Sequence, residues 1–243
     1  MEDSNTTRIN KYLSEIGYCS RRAADKLIEE GRVTINGAVP VQGTKIGPDD
    51  VVCVDGERVS TPKERHIYIA FNKPVGIVST TDTKGEKNNI IEYINHPKRI
   101  FPIGRLDKDS EGLILLTSDG DIVNKILRAR NNHEKEYIVR VDRPITREFI
   151  TSMRRGVPVL DTVTMQCYVE QLTKDTFRII LTEGLNRQIR RMCSYLDYNV
   201  YNLKRVRIMN IPLDVPVGKW RYLTDKEMDE INRLLSDSSK THD

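Results

Sequence analysis

Between residues 8 and 17, "RINKYLSEIG", the apolar side chains Ile9, Leu13 and Ile16 recur at helical spacing, and Gly17 closes the run. Ser20 stands where a second helix needs an N-cap. Ala23, Ala24, Leu27 and Ile28 then give that helix one apolar face before Gly31 ends it. The pattern next shortens to strand-like alternation in "RVTINGAVPV" and "DVVCVDGERV". Each is interrupted by a dipeptide that favours a hairpin turn, Asn36-Gly37 and Asp55-Gly56. Two short helices followed by hairpins predict a small module over residues 1–60, and the polar, proline-containing stretch at 61–66 reads as a linker.

From Ile67 the pattern mixes both periods. "IYIAFNKPVG", "LILLTSDGD", "KEYIVRVD", "TMQCYVEQL", "TFRIILTEG" and "LKRVRIMNIPL" read as strands, and "DIVNKILRAR", "ITREFITSMRRGVPV" and "NRQIRRMCSYLDY" as helices. Thr224 and Glu227 form a capping box for a last helix ending near Leu235, with a disordered tail expected over 237–243. The fold class is α+β, with a mixed, mainly antiparallel sheet in a domain spanning 67–236.

Composition narrows the class. A chain of 243 residues with 38% hydrophobic and 30% charged residues can bury a core, which excludes a disordered protein. The net charge of +4 says little by itself, but its distribution says more. Arg187, Arg190, Arg191, Lys204, Arg205 and Arg207 crowd together with only Asp197 opposing them, and Arg8, Lys11, Arg21, Arg22 and Lys26 form a second cluster. Ser20, Arg21 and Arg22 open a helix, whose free amides and dipole attract phosphate; the plainer alternative is a solvated surface. The four cysteines are scattered without a C-x-x-C, so reduced thiols are expected, and the four histidines lack ligand spacing, so no metal is. The longest apolar runs are too short to cross a bilayer, and "MEDSNTTR" is unlike a targeting peptide. A cytoplasmic protein is expected.

"GRLDKDSEGLILLTSDGD" (104–121) sets Asp107, Asp109, Glu111, Asp119 and Asp121 around an apolar run. As a calcium loop it fails at the twelfth position, which is Ser118 and not Glu, and its flanks are not helical. A glycosidase-like carboxylate pair is left open by spacing, although such a site gains nothing from arginine clusters. Turn chemistry accounts for Asp109, Glu111, Asp119 and Asp121. Asp107 differs, directly following Arg105-Leu106 at the entrance to the buried run.

Residues 8 to about 58 resemble the S4 RNA-binding domain, which implies contact with RNA backbone by shape and charge. The 104–121 segment resembles the catalytic motif of the pseudouridine synthases, in the branch that modifies ribosomal RNA at single sites and carries an N-terminal S4 domain. "NKPVG" (72–76), "HEKEYIV" (133–139), "EGLNRQIRRM" (183–192) and "VGKWRYL" (217–223) resemble its other segments in order. Within that branch the resemblance is closest to the F type, which acts on RNA of the large ribosomal particle. That type often has a basic tail after the last helix; this chain stops short of one, so no extra RNA affinity from a tail is expected.

The resemblance implies an isomerase that turns a uridine of large-subunit ribosomal RNA into pseudouridine without cofactor or metal, small-subunit RNA or a tRNA being alternative targets; nothing in the sequence points to an obligate dimer, and a monomer is expected. It implies Asp107 as the nucleophile and Arg190 as its ion-pair partner. Tyr137 becomes the wall for a flipped base, Arg105 the filler of the gap the base leaves, and Leu203 a packing residue at the uracil edge. Arg8, Lys11, Ser20, Arg21, Arg22, Lys73, Arg187, Arg191, Lys204 and Arg205 are expected to bind RNA, with Lys73 and Pro74 also shaping the site floor. A different class, a non-catalytic RNA-binding or ribosome-assembly protein with a decayed synthase domain, should have lost at least one of Arg105, Asp107, Tyr137 and Arg190.

Overall fold

The computed structural model of the chain describes residues 6–60, 66–127 and 133–240, so the expected linker, His66 apart, lies outside the described residues. Two compact units divide between His66 and Ile67, except that Ser118–Gly120 group with the first.

In the first unit, β1 (Thr7–Arg8) leads into α1 (Ile9–Glu15) and α2 (Arg21–Glu29). Short strands follow: β2 (Val33–Ile35), β3 (Lys45–Ile46), β4 (Val52–Val54) and β5 (Glu57–Val59). Ile9 and Leu13 pack with Ala24, Ile28, Val33, Ile46, Val52 and Val54 in one core. Ser20 caps α2, its Oγ accepting the Ala23 N–H at 3.1 Å. Ala23 itself is exposed, so the buried stripe is narrower than the apolar pattern. Asn36 and Gly37 take φ of 50° and 85°, and Asp55 and Gly56 take 51° and 81°, the left-handed pairs a two-residue hairpin turn demands. Beyond Asn36-Gly37 the pairing stops at an Ile35–Ala38 bridge, because Pro40 has no N–H to continue it; β2 pairs with β4 instead.

The second unit opens with β6 (Tyr68–Lys73), α3 (Ile90–Ile94), β7 (Phe101–Pro102), β8 (Glu111–Thr117) and α4 (Gly120–Leu127). Next come β9 (Lys135–Val141), α5 (Arg147–Arg155), β10 (Pro158–Val159), β11 (Thr162–Val163), β12 (Tyr168–Gln171) and β13 (Thr176–Leu181). It closes with α6 (Gln188–Tyr195), β14 (Val200–Ile208), β15 (Ile211–Pro212), β16 (Trp220–Tyr222) and α7 (Asp225–Lys240). One nine-stranded sheet runs β12-β13-β9-β14-β8-β6-β16, with β15 and β7 paired onto β14 and β8. Its neighbours are antiparallel except for β14 and β8, which are parallel.

The run "LILL" in β8 is apolar without alternation because the strand is covered on both faces. Leu113 and Leu115 join Ile122 and Ile126 of α4 and Ile231 of α7, while Ile114 and Leu116 join Ile90 and Ile94 of α3. In β9 only alternate residues enter a core: Tyr137, Val139 and Val141 pack with Phe149 and Met153 of α5 and Met192 and Cys193 of α6. Burial pushes the Cys193 thiol up to about 12, so it is inert packing.

The last helix corrects the expected tail. α7 continues through Lys240, past Leu235. Neither Gly nor Pro interrupts 236–240, and the Ser236 hydroxyl donates back to the Asn232 carbonyl at 2.9 Å, one turn earlier. Residues 241–243 lie outside the described residues. Among the described residues no helix is long and apolar enough to cross a membrane.

Candidate active site

Asp107 lies in the connection from β7 to β8, where the Ser110 N–H donates to the Asp107 carbonyl at 3.1 Å and closes a turn. Leu106 is clamped from the other side. The buried Ser79 hydroxyl donates to its carbonyl at 2.8 Å and accepts its N–H at 3.2 Å. With both flanks pinned, the Asp107 carboxylate projects, about one-third exposed, into a cleft of about 530 Å³. Arg105, Tyr137, Arg190, Leu203 and Arg205 line the same cleft. Ser79 has no signal in the sequence.

The arginines are arranged differently from expectation. Arg190 makes no ion pair with Asp107. It donates from Nη2 to the Asp109 carbonyl at 2.8 Å and the Ser110 hydroxyl at 3.1 Å, gripping the turn that carries Asp107. The cation beside Asp107 is Arg187, with Nη1 3.8 Å from Oδ2. The reason is local backbone. α6 begins only at Gln188, and Arg187 precedes it in left-handed conformation, φ 49°. A continuous helix would have placed Arg187 one turn from Arg190; the left-handed step swings it back over the cleft at a conformational cost of about 1 kcal/mol or more. A buried Gln188 holds this loop, donating to Glu183 at 2.7 Å and accepting the Leu185 N–H at 3.0 Å.

Asp109, expected to be a turn residue, is an anchor as well. It takes a bidentate pair from Arg187 at 2.9 and 3.1 Å, and these hydrogen bonds hold its carboxyl below the ordinary aspartate value.

On β9, Lys135 and Tyr137 both line the cleft, while Glu136 turns away to Arg207, 2.9 Å off. Leu203, 5% exposed, lines the cleft as expected. Lys73 and Arg205, expected among the RNA contacts at the surface, are instead buried, 0% and 4% exposed. Both sit on inner strands of the sheet, where their neighbours cover them. The Lys73 ammonium donates to the Pro74 and Ile77 carbonyls at 2.9 and 2.8 Å and so shapes the following loop. Burial lowers it to about 8 from 10.5, Asp107 and Asp109 partly opposing the shift. Between those values the unfolded chain binds more protons than the folded one. Wild-type stability relative to Lys73→Met should therefore be flat below about pH 8 and rise from there to pH 10.5 by on the order of 3 kcal/mol, read from urea midpoints. A difference independent of pH would contradict the buried ammonium.

The remaining expected RNA contacts are at the surface. Arg8, Arg21 and Arg22 are exposed, and none of them makes an ion pair among the described residues. Lys11 pairs with Glu15 at 3.2 Å. Arg191 holds Asn186 at 3.0 and 3.1 Å, and Lys204 lies 4.0 Å from Glu111, outside the cleft lining.

Comparison with known proteins identifies this architecture. A family model described as RNA pseudouridylate synthase matches residues 67–195, and one for the S4 domain matches residues 7–52. The two units thus join an RNA-binding domain to a catalytic one. The chain belongs to the RNA pseudouridylate synthase family and is an isomerase that acts on RNA. Across 98% of its length it is 54% identical to the dual-specificity RNA pseudouridine synthase RluF of Escherichia coli (strain K12), 83% of which is covered. It is 34% identical to the ribosomal large subunit pseudouridine synthase B of Bacillus subtilis (strain 168), with 96% of this chain and 98% of that one covered. A crystal structure of a pseudouridylate synthase superposes with a TM-score of 0.68 at 28% identity, covering 92% of this chain and 99% of that one.

Proposed function

We propose that the chain converts a uridine of large-subunit ribosomal RNA to pseudouridine, with Asp107 as the nucleophile. The observation that carries this is the convergence of Arg105, Asp107, Tyr137 and Arg190 on one cleft. A decayed, purely RNA-binding relative would not keep all four in place. That one chain supplies the whole set supports a monomeric enzyme, and a ribosomal RNA substrate supports a cytoplasmic one. The name of the Bacillus subtilis relative supports a large-subunit target, and the dual specificity named for the Escherichia coli relative supports a second RNA target, such as tRNA.

The reaction breaks the bond between ribose C1′ and uracil N1, turns the base and joins C1′ to C5; the C5 proton leaves and N1 gains one. Electrons and atoms balance without an external donor. Asp107 attacks either C1′ or uracil C6, and in both routes negative charge appears on the base. The target must leave its stack at a cost of a few kcal/mol. Tyr137 stacks on the extruded base, returning about 1–3 kcal/mol, while Arg105 takes the vacated place. Arg187 accompanies the Asp107 carboxylate, and Arg190 fixes the turn on which it stands.

In the S4 domain, Arg21 and Arg22 stand at the N-terminus of α2 and engage phosphates. Replacing both by alanine should weaken binding to a large-subunit RNA transcript and reduce the slope of log affinity against log salt by about 2. An unchanged slope would remove them from the interface. The target itself is tested by mapping pseudouridines in ribosomal RNA from cells with and without this gene. Loss of one large-subunit site supports the proposal, and an identical map overturns it.

A further inference from the structure

Arg205 is a buried cation that makes no ion pair among the described residues. Its side chain is 4% exposed and lines the cleft. Its Nη2 is buried without any hydrogen-bond acceptor among the described residues. Such a group is costly to bury, and an apolar side chain of similar size would pack there at lower cost. Two nearby ammonium groups feel it: the charge of Arg205 helps depress both Lys73 and Lys135, behind the larger effect of burial.

Its remaining contacts join parts of the site. Nε donates to the Leu113 carbonyl of β8 at 2.7 Å, and Nη1 reaches the Arg105 carbonyl, two residues before Asp107, at 3.5 Å. The guanidinium carbon lies 5.9 Å from the centre of the Tyr137 ring. A register shift between Arg205 and Arg207 on β14, together with the close approach of β8 at Gly112, fixes this placement.

We propose that Arg205 is a positioning residue for the isomerisation. It sets the Tyr137 ring against the segment that carries Asp107, and it keeps a positive charge, held by carbonyls and not by an ion pair, beside the pocket where the uracil becomes anionic. The inference rests on the synthase reading of this cleft.

The test uses the full chain and ribosomal RNA labelled with C5-tritiated uridine, comparing wild type, Arg205→Met and Arg205→Lys. Melting temperature, RNA Kd and the single-turnover rate of tritium release are measured for each. Arg205→Met should melt within a few degrees of wild type and bind RNA within about twofold, yet release tritium about 100-fold more slowly. Arg205→Lys keeps the charge but cannot span the three contacts, and should fall between the two. In a Tyr137→Leu background the Arg205→Met loss should shrink below about tenfold, because the two act through one another. A rate that falls only in step with melting temperature or Kd, or a loss fully additive with Tyr137→Leu, would overturn the proposal. Absence of release by the wild type would instead overturn the synthase reading.

Discussion

Asp107→Asn should abolish pseudouridine formation, lowering the rate by about 10⁴-fold or more, while leaving the protein folded and bound to RNA. The substitution keeps the shape of the side chain and removes its nucleophilic charge. Stability is largely spared because the turn at Asp107 is closed by backbone, the Ser110 N–H on the Asp107 carbonyl. The one ion pair lost, to Arg187 at 3.8 Å, is partly exposed, and Arg187 stays anchored by its two bonds to Asp109. Neutralising Asp107 also removes part of what supports the buried Lys73 ammonium, so the unfolding free energy should fall by about 1 kcal/mol. C5-tritium release, filter binding of ribosomal RNA and a thermal melt on the same preparation check all three statements. A loss of only a few-fold would mean that Asp107 is not the attacking group.

Gly112→Ala should be among the most destabilising single changes in the catalytic domain. Gly112 has φ 109°, a conformation side chains rarely adopt, and a Cβ there would overlap the Arg205 carbonyl oxygen and lie 2.7 Å from its nitrogen. Those are main-chain atoms of the paired strand, where Arg205 is the register partner of Gly112, so no rotamer can relieve the overlap. The strands must part at the single parallel junction of the sheet, between the turn of Asp107 and the strand of Leu203 and Arg205. A loss of about 3 kcal/mol or more is expected, with tritium release falling beyond what partial unfolding explains. An unchanged urea midpoint would show that β8 and β14 do not approach so closely.

Much of the fold, and part of the site, is legible in residue order. The two-sided apolar run of β8, the alternation that sends Lys135 and Tyr137 together, the Ser20 cap and both left-handed turn pairs are local patterns, and local patterns suffice for them. What escapes depends on chain segments far apart. Lys73 and Arg205 look like surface cations until the sheet order buries their strands. The resemblance implies that Arg190 meets the nucleophile, but the left-handed Arg187, held by the Glu183–Gln188 latch, stands there instead. Ser79 clamps Leu106 from 27 positions away and belongs to no recognisable pattern. The end of α7 is hidden because serines are poor helix signals, although nothing in 236–240 breaks a helix.

The central claim is that this cleft performs uridine isomerisation on ribosomal RNA. Incubating the purified chain with large-subunit ribosomal RNA that carries C5-tritiated uridine measures it directly. Release should rise to a plateau of about one tritium for each RNA molecule per modified site and stop there. RNA bound with the salt dependence of a backbone contact, but with no tritium released, would contradict the account and leave a protein that binds RNA without changing it.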